Sequence, residues 1–451
     1  MDDQKKKPLR YLTFTFGCQM NEHDSEVIAG ILEDMGYRPA AGEKEADVLL
    51  VNTCCVRETA ENKVYGLLGR LRRLKQAKPS LIIGVGGCMT QQKAVAEKIK
   101  SRFPYVDLIF GTHNYHQLAD LLRKTQASRE TILELMDQAS PAVEGLPIRR
   151  SSGIGAWVVI AHGCNNFCTY CIVPYVRGKE CSRHPEEILS EIRNLVAKGY
   201  REVTLLGQNV NSYGRDLPQK IDFAGLLMEV NKIDDLCRIR FVTSHPRDFT
   251  PCLIETISLC SKICEHIHLP VQAGNNHVLQ SMNRGYRREY YLDLVEKIRQ
   301  AIPSVAITTD IMVGFPGETG EDFADTLDLV EKIRFDSAFT FIYNARTGTP
   351  AASMAGQVPE EIKRERIKIL IEKQNRISKE INLSEVGERR RLLVDGKSKT
   401  NPELLSGRTR TNKLVIFPGP PALTGKLADV IITGGRLTHL EGRWLENTAG
   451  D

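Results

Sequence analysis

The chain reads as an α/β protein of three parts in series: an open parallel α/β sheet, a partial (βα)6 barrel and a small β-barrel. Three observations point there. Over residues 10–123, apolar runs that end in short Gly-, Asn- or Cys-containing turns alternate with helical periodicity. The same alternation resumes at residue 156 and continues through six βα repeats. After Gly387 only short alternating strands remain, separated by Gly, Pro and Asn turns.

In the first part, residues 10–16 alternate as a strand, and Val27, Ile28, Ile31, Leu32 and Met35 share one helix face that ends at Gly36. The cycle repeats with a strand over 46–51 and a helix over about 57–76, then a strand over 81–85 and a helix over 91–102. A fourth unit, 107–110 followed by 114–123, carries no cysteine. Cys18, Cys54 and Cys88 each fall in the turn after a strand, 36 and 34 residues apart. Ligands gather beyond the carboxyl ends of strands in such sheets, so three thiols share one edge and can hold a metal cluster. Cys55 follows Cys54 directly and is expected to point elsewhere, as a bystander or fallback ligand. Residues 126–155, with Pro141, Gly145, Pro147 and Ser151-Ser152-Gly153, read as a connector whose 131–136 stretch can pair as a short strand.

A strand over 156–161 delivers the run His162-Gly-Cys-Asn-Asn-Phe-Cys-Thr-Tyr-Cys171. Cys164, Cys168 and Cys171 stand four and then three residues apart, close enough for one loop to turn their sulfurs inward. Tetrahedral zinc and four-iron clusters take four ligands. No further Cys or His stands at metal spacing, and His162 is too near Cys164, so one coordination position is left open. Strands are expected at 202–206, 238–243, 266–269, 305–311 and 338–343. Helices are expected at 185–198, 223–231, 251–261, 277–282, 288–301 and 321–333. The loops after barrel strands form the reactive face, which here includes Gly207-Gln208-Asn209, Thr243-Ser244-His245, Gln272-Ala273-Gly274 and Gly314-Phe315-Pro316-Gly317. His245 and Arg346 read as structural, and Cys181, Cys237, Cys252, Cys260 and Cys264 as core.

A charged helix over 360–383 leads to strands at 391–394, 414–417 and 428–433. Arg389, Arg390, Arg391, Lys397, Lys399, Arg408, Arg410 and Lys413 make either a phosphate-tracking surface or a solvated polar face. With 61 Lys and Arg against 56 Asp and Glu, the net charge of +5 permits a polyanionic partner without demanding one. The N-terminal Met-Asp-Asp-Gln-Lys-Lys-Lys has no apolar signal core, so the 12 cysteines are read as reduced and the location as cytoplasmic. No apolar run approaches the roughly 20 residues a bilayer requires.

The spacing Cys-x3-Cys-x-aromatic-Cys resembles the signature of the radical S-adenosylmethionine superfamily. That resemblance implies a [4Fe-4S] cluster on Cys164, Cys168 and Cys171, with S-adenosylmethionine on the open iron and Tyr170 beside its adenine. Gln208, Asn209 and Asp310 are the residues expected to hold that cofactor. Further motifs extend the likeness: Phe16-Gly-Cys-Gln-Met-Asn21, Asn52-Thr-Cys54 with Val56-Arg-Glu58, and Gly87-Cys-Met89. His268-Leu-Pro-Val-Gln272, Val313-Gly-Phe-Pro-Gly-Glu318 and Gly407-Arg-Thr-Arg-Thr-Asn-Lys413 follow in the later parts. Taken together, residues 9–446 resemble the methylthiotransferases of the MiaB type.

The resemblance implies a methylthiotransferase domain over 9–126, a radical S-adenosylmethionine core over 150–380 and an RNA-binding TRAM domain over 383–446. It also implies a second [4Fe-4S] cluster on Cys18, Cys54 and Cys88, with Cys55 standing where relatives often carry another residue. The implied substrate is N6-isopentenyladenosine beside the anticodon of transfer RNA, methylthiolated at C2 with two molecules of S-adenosylmethionine and an electron donor of flavodoxin or ferredoxin type. An aromatic C2–H is beyond ordinary side-chain bases, so a cofactor has to supply that step. Met20 separates the chain from relatives acting on a ribosomal-protein aspartate, which usually carry lysine there. A relative acting on threonylcarbamoyl-adenosine in transfer RNA is the second rival. The non-enzymatic alternative is an RNA-binding zinc protein, and zinc without acid-labile sulfide would favour it.

Overall fold

Val48–Thr53 is buried along its whole length and forms the middle of a parallel sheet, because its successive side chains feed two separate apolar layers. In a computed structural model, residues 8–55, 58–128, 130–136, 145–150 and 153–446 are described, with the side chains of 58–60 left aside. Val56 and Arg57 of the second cysteine motif, Pro141, and the Ser151-Ser152 pair lie outside the described residues. The chain divides into two units: 1–151 with 161–167 and 171–183, and 152–160 with 168–170 and 184–451.

The first unit opens with β1 (Arg10–Thr15), α1 (Gln19–Asp34), β2 (Arg38–Pro39), β3 (Val48–Thr53) and α2 (Glu58–Ala77). It continues with β4 (Ile82–Gly87), α3 (Lys93–Arg102), β5 (Leu108–Phe110), α4 (Leu118–Ala127) and β6 (Ile132–Glu134). The sheet order is β2-β1-β3-β4-β5-β6, and every pairing is parallel. Leu49 and Val51 pack with Leu68, Ile83 and Ile99 on one side, while Val48 and Leu50 pack with Ile28, Leu32 and Leu118 on the other. The short strand expected within 131–136 therefore exists, as the sheet's edge.

The second unit begins with β7 (Gly155–Val159). A small antiparallel pair in the first unit, β8 (Ala161–His162) with β9 (Cys181–Ser182), closes the excursion that holds the second cysteine run and the five-residue helix α5 (Val173–Arg177). Then come α6 (Pro185–Ala197), β10 (Glu202–Leu206), α7 (Phe223–Asn231), β11 (Arg238–Phe241), α8 (Pro251–Leu259), β12 (His266–His268) and α9 (Asn276–Ser281). They are followed by α10 (Arg288–Ala301), β13 (Ala306–Val313), α11 (Gly320–Ile333) and β14 (Ser337–Ile342). The six parallel strands form two three-stranded pieces, β7-β10-β11 and β12-β13-β14, joined by the single pairing of Ile239 with Ile263. Open edges at β7 and β14 make this the partial barrel that the repeat count implied.

Helix α12 (Glu360–Ser384) leads to a closed barrel of β15 (Arg389–Lys397), β16 (Leu405–Arg408), β17 (Leu414–Phe417), β18 (Leu427–Gly435) and β19 (Leu440–Trp444). Sequence pattern indicates three of these five strands. β16 and β19 are short, Gly-interrupted segments (Leu-Ser-Gly-Arg and Leu-Glu-Gly-Arg-Trp) whose alternation is too brief to register.

This barrel is fastened to the foot of the larger one. Arg238 donates to the carbonyls of Arg408 (2.6 Å) and Arg391 (2.8 Å), and Arg240 to those of Arg410 (2.9 Å) and Thr409 (2.8 Å). Arg410 grips Glu265 in a two-toothed pair at 2.7 and 2.6 Å, and Lys413 meets Asp336 at 2.8 Å. The motif Gly407–Lys413 thus serves docking. Of the eight basic residues noted above, Arg389 pairs with Asp429 and Arg390 with Glu385, while Arg408 donates to Asn412. Only Arg391, Lys397 and Lys399 keep exposed side chains without an ion pair among the described residues.

Candidate metal-cluster and cofactor sites

At the carboxyl edge of the N-terminal sheet, two asparagines clasp three turns together. Asn21 donates to the Thr53 carbonyl (3.1 Å) and to Asn52 Oδ1 (3.2 Å). Asn52 donates to the Asn21 carbonyl (2.8 Å) and Ser25 (2.9 Å), Thr53 Oγ1 donates to the Gly86 carbonyl (2.7 Å), and the Cys88 N–H donates to the Thr53 carbonyl (2.9 Å). The glycines are required by closeness. A Cβ on Gly17 (φ +144°) would stand 2.7 Å from the Cys54 Cβ, and one on Gly87 (φ +109°) 2.5 Å from the Thr53 carbonyl oxygen. The turns carrying Cys18, Cys54 and Cys88 are therefore held against one another, as the repeat spacing implied.

Within that edge Cys18 is exposed, whereas Cys54, Cys55 and Cys88 are buried. Cys55, expected as a bystander or fallback ligand, hydrogen-bonds Cys88 and packs with it against Ile172 and Val176. The Cys55 S–H directed at Cys88, with help from Arg177 and against burial, draws the Cys88 thiol below its ordinary range. The same bond, with burial, pushes Cys55 well above it. Arg177 is only 7% exposed; it donates to Asp24 (2.6 Å) and to the Cys88 sulfur (3.2 Å).

In the second cysteine run, Cys164 and Cys171 fall in the first unit and Cys168 in the second. The Cys164 N–H donates to the Gly178 carbonyl (3.2 Å), and Gly163 (φ +72°) passes so near Lys179 that a Cβ would stand 2.1 Å from its carbonyl oxygen. Thr169 anchors the middle of the run, donating from its backbone to Met282 (3.1 Å) and from its hydroxyl to Ser281 (2.8 Å). Arg284, 4% exposed, donates to the Cys168 sulfur (3.3 Å), to the Tyr170 hydroxyl (3.4 Å) and to the Pro270 carbonyl (2.8 Å). Tyr170 packs on Ala273, Met282 and Phe315, at the barrel's reactive face.

That face holds polar atoms without partners. Gln208 Oε1, Asn209 Oδ1, Ser244 Oγ and His245 Nε2 are buried and make no hydrogen bond. Leaving such groups unpaired costs about 1–3 kcal/mol each, so a cluster of four is the mark of a ligand cradle. Asn209 keeps its amide on Asp248 (2.8 Å), which also takes Arg215 (2.9 Å). His245 is held down to about 2 by burial and by Arg284, Arg247 and Arg215, so its imidazole is neutral. Its Nδ1 accepts the Arg247 N–H (3.3 Å), which leaves the proton on Nε2 as a free donor. Asp310, on β13, stands 3.5 Å from His268 Nε2. The amino group and ribose hydroxyls of S-adenosylmethionine suit the Gln208, Asn209 and Ser244 oxygens, and its acceptor atoms suit the His245 Nε2–H. Three thiols with one buried guanidinium suit an anionic cluster. Among the described residues no three His, Cys, Asp or Glu side chains already converge on a common metal point.

Sequence reasoning missed Arg177 and Arg284, placed Ser244 only within a reactive-face turn, and read His245 as structural. A lone arginine in a turn has no periodicity to reveal it, though Tyr175-Val-Arg-Gly178 and Asn283-Arg-Gly285 each set one before a glycine. Among the five cysteines read as core, Cys264 is buried but Cys252 is exposed.

Comparison with known proteins agrees with this layout. Residues 10–111 match the model of the uncharacterized protein family UPF0004, 158–330 that of the radical SAM superfamily and 383–445 that of the TRAM domain. The chain is 61% identical to a tRNA-2-methylthio-N(6)-dimethylallyladenosine synthase of Carboxydothermus hydrogenoformans, over 96% of its own length and 98% of the relative's. It is 58% identical to the protein of the same name from Desulforamulus reducens, over 97% and 96%. A solved structure of the radical S-adenosylmethionine methyltransferase TsrM from Kitasatospora setae shares the fold at a TM-score of 0.57 and 15% identity, over 76% of this chain and 74% of that one.

Proposed function

This chain belongs to the tRNA-2-methylthio-N(6)-dimethylallyladenosine synthase family, and from that premise we propose how its residues divide the work. It is a radical S-adenosylmethionine methylthiotransferase that adds a methylthio group to C2 of N6-isopentenyladenosine next to the anticodon. The near full-length identity to synthases of that name carries this conclusion. Mass spectrometry of nucleosides from bulk transfer RNA, with and without the protein, tests it: the 2-methylthio derivative appears only with the protein.

Cys164, Cys168 and Cys171 would hold the [4Fe-4S] cluster, which would supply the electron needed to cleave S-adenosylmethionine. Gln208 and Asn209 offer carbonyl oxygens to the cofactor, the Ser244 hydroxyl joins them, and His245 offers its Nε2–H, since all four have an unpartnered polar atom. Tyr170, fixed by Arg284, lies beside the adenine. Asp310 takes a more distant part through His268. The proposed domain limits are 9–126, 150–380 and 383–446, with a flavodoxin- or ferredoxin-type protein as electron donor. No described helix is long and apolar enough to cross a membrane. The transfer RNA substrate makes the cytoplasm the proposed location.

Cys18, Cys54 and Cys88 hold a second [4Fe-4S] cluster that supplies the sulfur to be methylated and transferred. The closeness of Gly17 to Cys54 supports this set, because it brings the Cys54 turn against the one carrying Cys18. The bond between Cys55 and Cys88 favours Cys55 as a rival ligand. Cys54→Ser is expected to lose this cluster, whereas Cys55→Ser keeps about four irons and four sulfides there. Iron and sulfide analysis in a chain lacking Cys164, Cys168 and Cys171 decides it, and the opposite pattern transfers the role to Cys55.

RNA contact falls to the free cations of the small barrel. Reversing Lys397 and Lys399 to Glu is expected to weaken transfer RNA binding and lower the salt slope by about two. An unchanged slope would remove these residues from the interface.

A further inference from the structure

Arg177 ends helix α5, and the carbonyl of the next residue, Gly178, receives the Cys164 N–H. The excursion that bears one cysteine run thus also carries a guanidinium to the other. Its attachment does not depend on that guanidinium, because Thr112 already donates to the Val176 carbonyl at 2.6 Å, and Ile172 and Val176 pack on Cys55 and Cys88. Asp24, buried and also reached by the Tyr115 hydroxyl (3.4 Å), balances the charge through Arg177 Nη2. Nε–H is left to point at the Cys88 sulfur at 3.2 Å. A neutral thiol is a weak acceptor and a thiolate a strong one, so this donor gains its full value when Cys88 ligates iron.

We propose that Arg177 sets the reduction potential of the cluster ligated by Cys88, holding it high enough to accept an electron. This rests on the reading of Cys18, Cys54 and Cys88 as cluster ligands. Hydrogen bonds to the sulfurs of iron–sulfur clusters stabilise the reduced form, because they offset its extra negative charge. In the reaction proposed above the C2 hydrogen would leave as an atom to the 5′-deoxyadenosyl radical. The C2 radical would then bond the methylated sulfur as its sulfur–iron bond breaks, the sulfur and the iron each keeping one electron of that bond. The cluster therefore gains one electron, and no proton moves. A donor on Cys88 pulls that transfer forward. Arg177 is a positioning residue in this scheme: it touches neither the base nor S-adenosylmethionine.

The test is a redox titration followed by electron paramagnetic resonance. It uses the full-length chain with Cys164, Cys168 and Cys171 changed to Ala and reconstituted with iron and sulfide. Into this background goes Asp24→Asn with Arg177→Gln, which removes the donor without leaving a buried charge unpaired. A second variant, Arg177→Lys, keeps a charge for Asp24 but lacks Nε–H. Each is expected to disfavour reduction by about tenfold, a shift of about 59 mV to more negative potential for a one-electron couple. An unchanged midpoint with full iron and sulfide overturns the proposal. So does loss of the cluster in both variants while the background keeps it, since Arg177 is then a structural prop. If the background itself holds no cluster, the ligand reading fails first and takes the proposal with it.

Discussion

Replacing Cys164, Cys168 and Cys171 together by alanine abolishes 5′-deoxyadenosine formation and leaves about four irons per chain, where the parent holds about eight. The expected loss is total because, in the proposed reading, these thiols hold the cluster through which the electron would reach S-adenosylmethionine, and no neighbouring cysteine is placed to substitute. Cys181 is paired into β9, and the buried Cys264 lies at the start of β12, at the foot of the barrel. The remaining irons stay because the asparagine clasp around Cys18, Cys54 and Cys88 uses no residue of the altered run. Chromatographic assay of 5′-deoxyadenosine with chemical reductant, beside iron analysis, checks both halves. Persistent cleavage would mean the electron enters elsewhere, and loss of all iron would mean one cluster rather than two.

Gly87→Ala is expected to be nearly as damaging, at the other centre. The residue sits at φ +109°, where an L side chain is strained by about 1–3 kcal/mol. Its Cβ would also meet backbone, at 2.5 Å from the Thr53 carbonyl oxygen and 2.7 Å from the Thr53 nitrogen, so no flexible side chain can yield. Relief requires the Cys88 turn to part from the Cys54 turn, breaking the 2.9 Å bond from the Cys88 N–H. The variant should therefore lose the N-terminal cluster and methylthio transfer while still cleaving S-adenosylmethionine without product. Gly36→Ala is the control: that glycine is also at positive φ (+88°), but nothing lies within 4 Å of its added Cβ. Equal iron retention by the two variants would show that crowding at Gly87 is not what holds the turns in place.

How far the site could be read from sequence follows from what repeats and what does not. Cys18, Cys54 and Cys88 were legible because a βα repeat returns each to the same kind of turn, and the parallel sheet then makes neighbours of β1, β3 and β4. Gln208 and Asn209 were legible by position alone, after β10 on the reactive face. Asp310 occupies the strand β13 itself, and its register there is something sequence leaves open. Arg177 and Arg284 act across long separations in the chain, 89 residues from Cys88 in one case and 116 from Cys168 in the other. No local pattern encodes such pairings. The small barrel shows the opposite failure, in which basic residues suggested a nucleic-acid surface but Arg410 and Lys413 answer carboxylates of the same chain. Arg238 and Arg240 alternate on β11 where apolar residues would be expected, and that break in pattern was an available sign of docking.

The bolting of the small barrel has a geometric consequence. Arg238 opens β11, Glu265 precedes β12 and Asp336 precedes β14, so all three fasteners lie at the strand starts, away from the loops around Gln208 and Ser244. The barrel strands β10–β14 run from three to eight residues, so at about 3.3 Å per residue their two ends lie roughly 10–25 Å apart. A lone nucleoside cannot bridge that gap. If the small barrel contacts RNA as proposed, it would act as a fixed outrigger, rewarding only a polynucleotide long enough to rest on it while one base reaches the opposite rim.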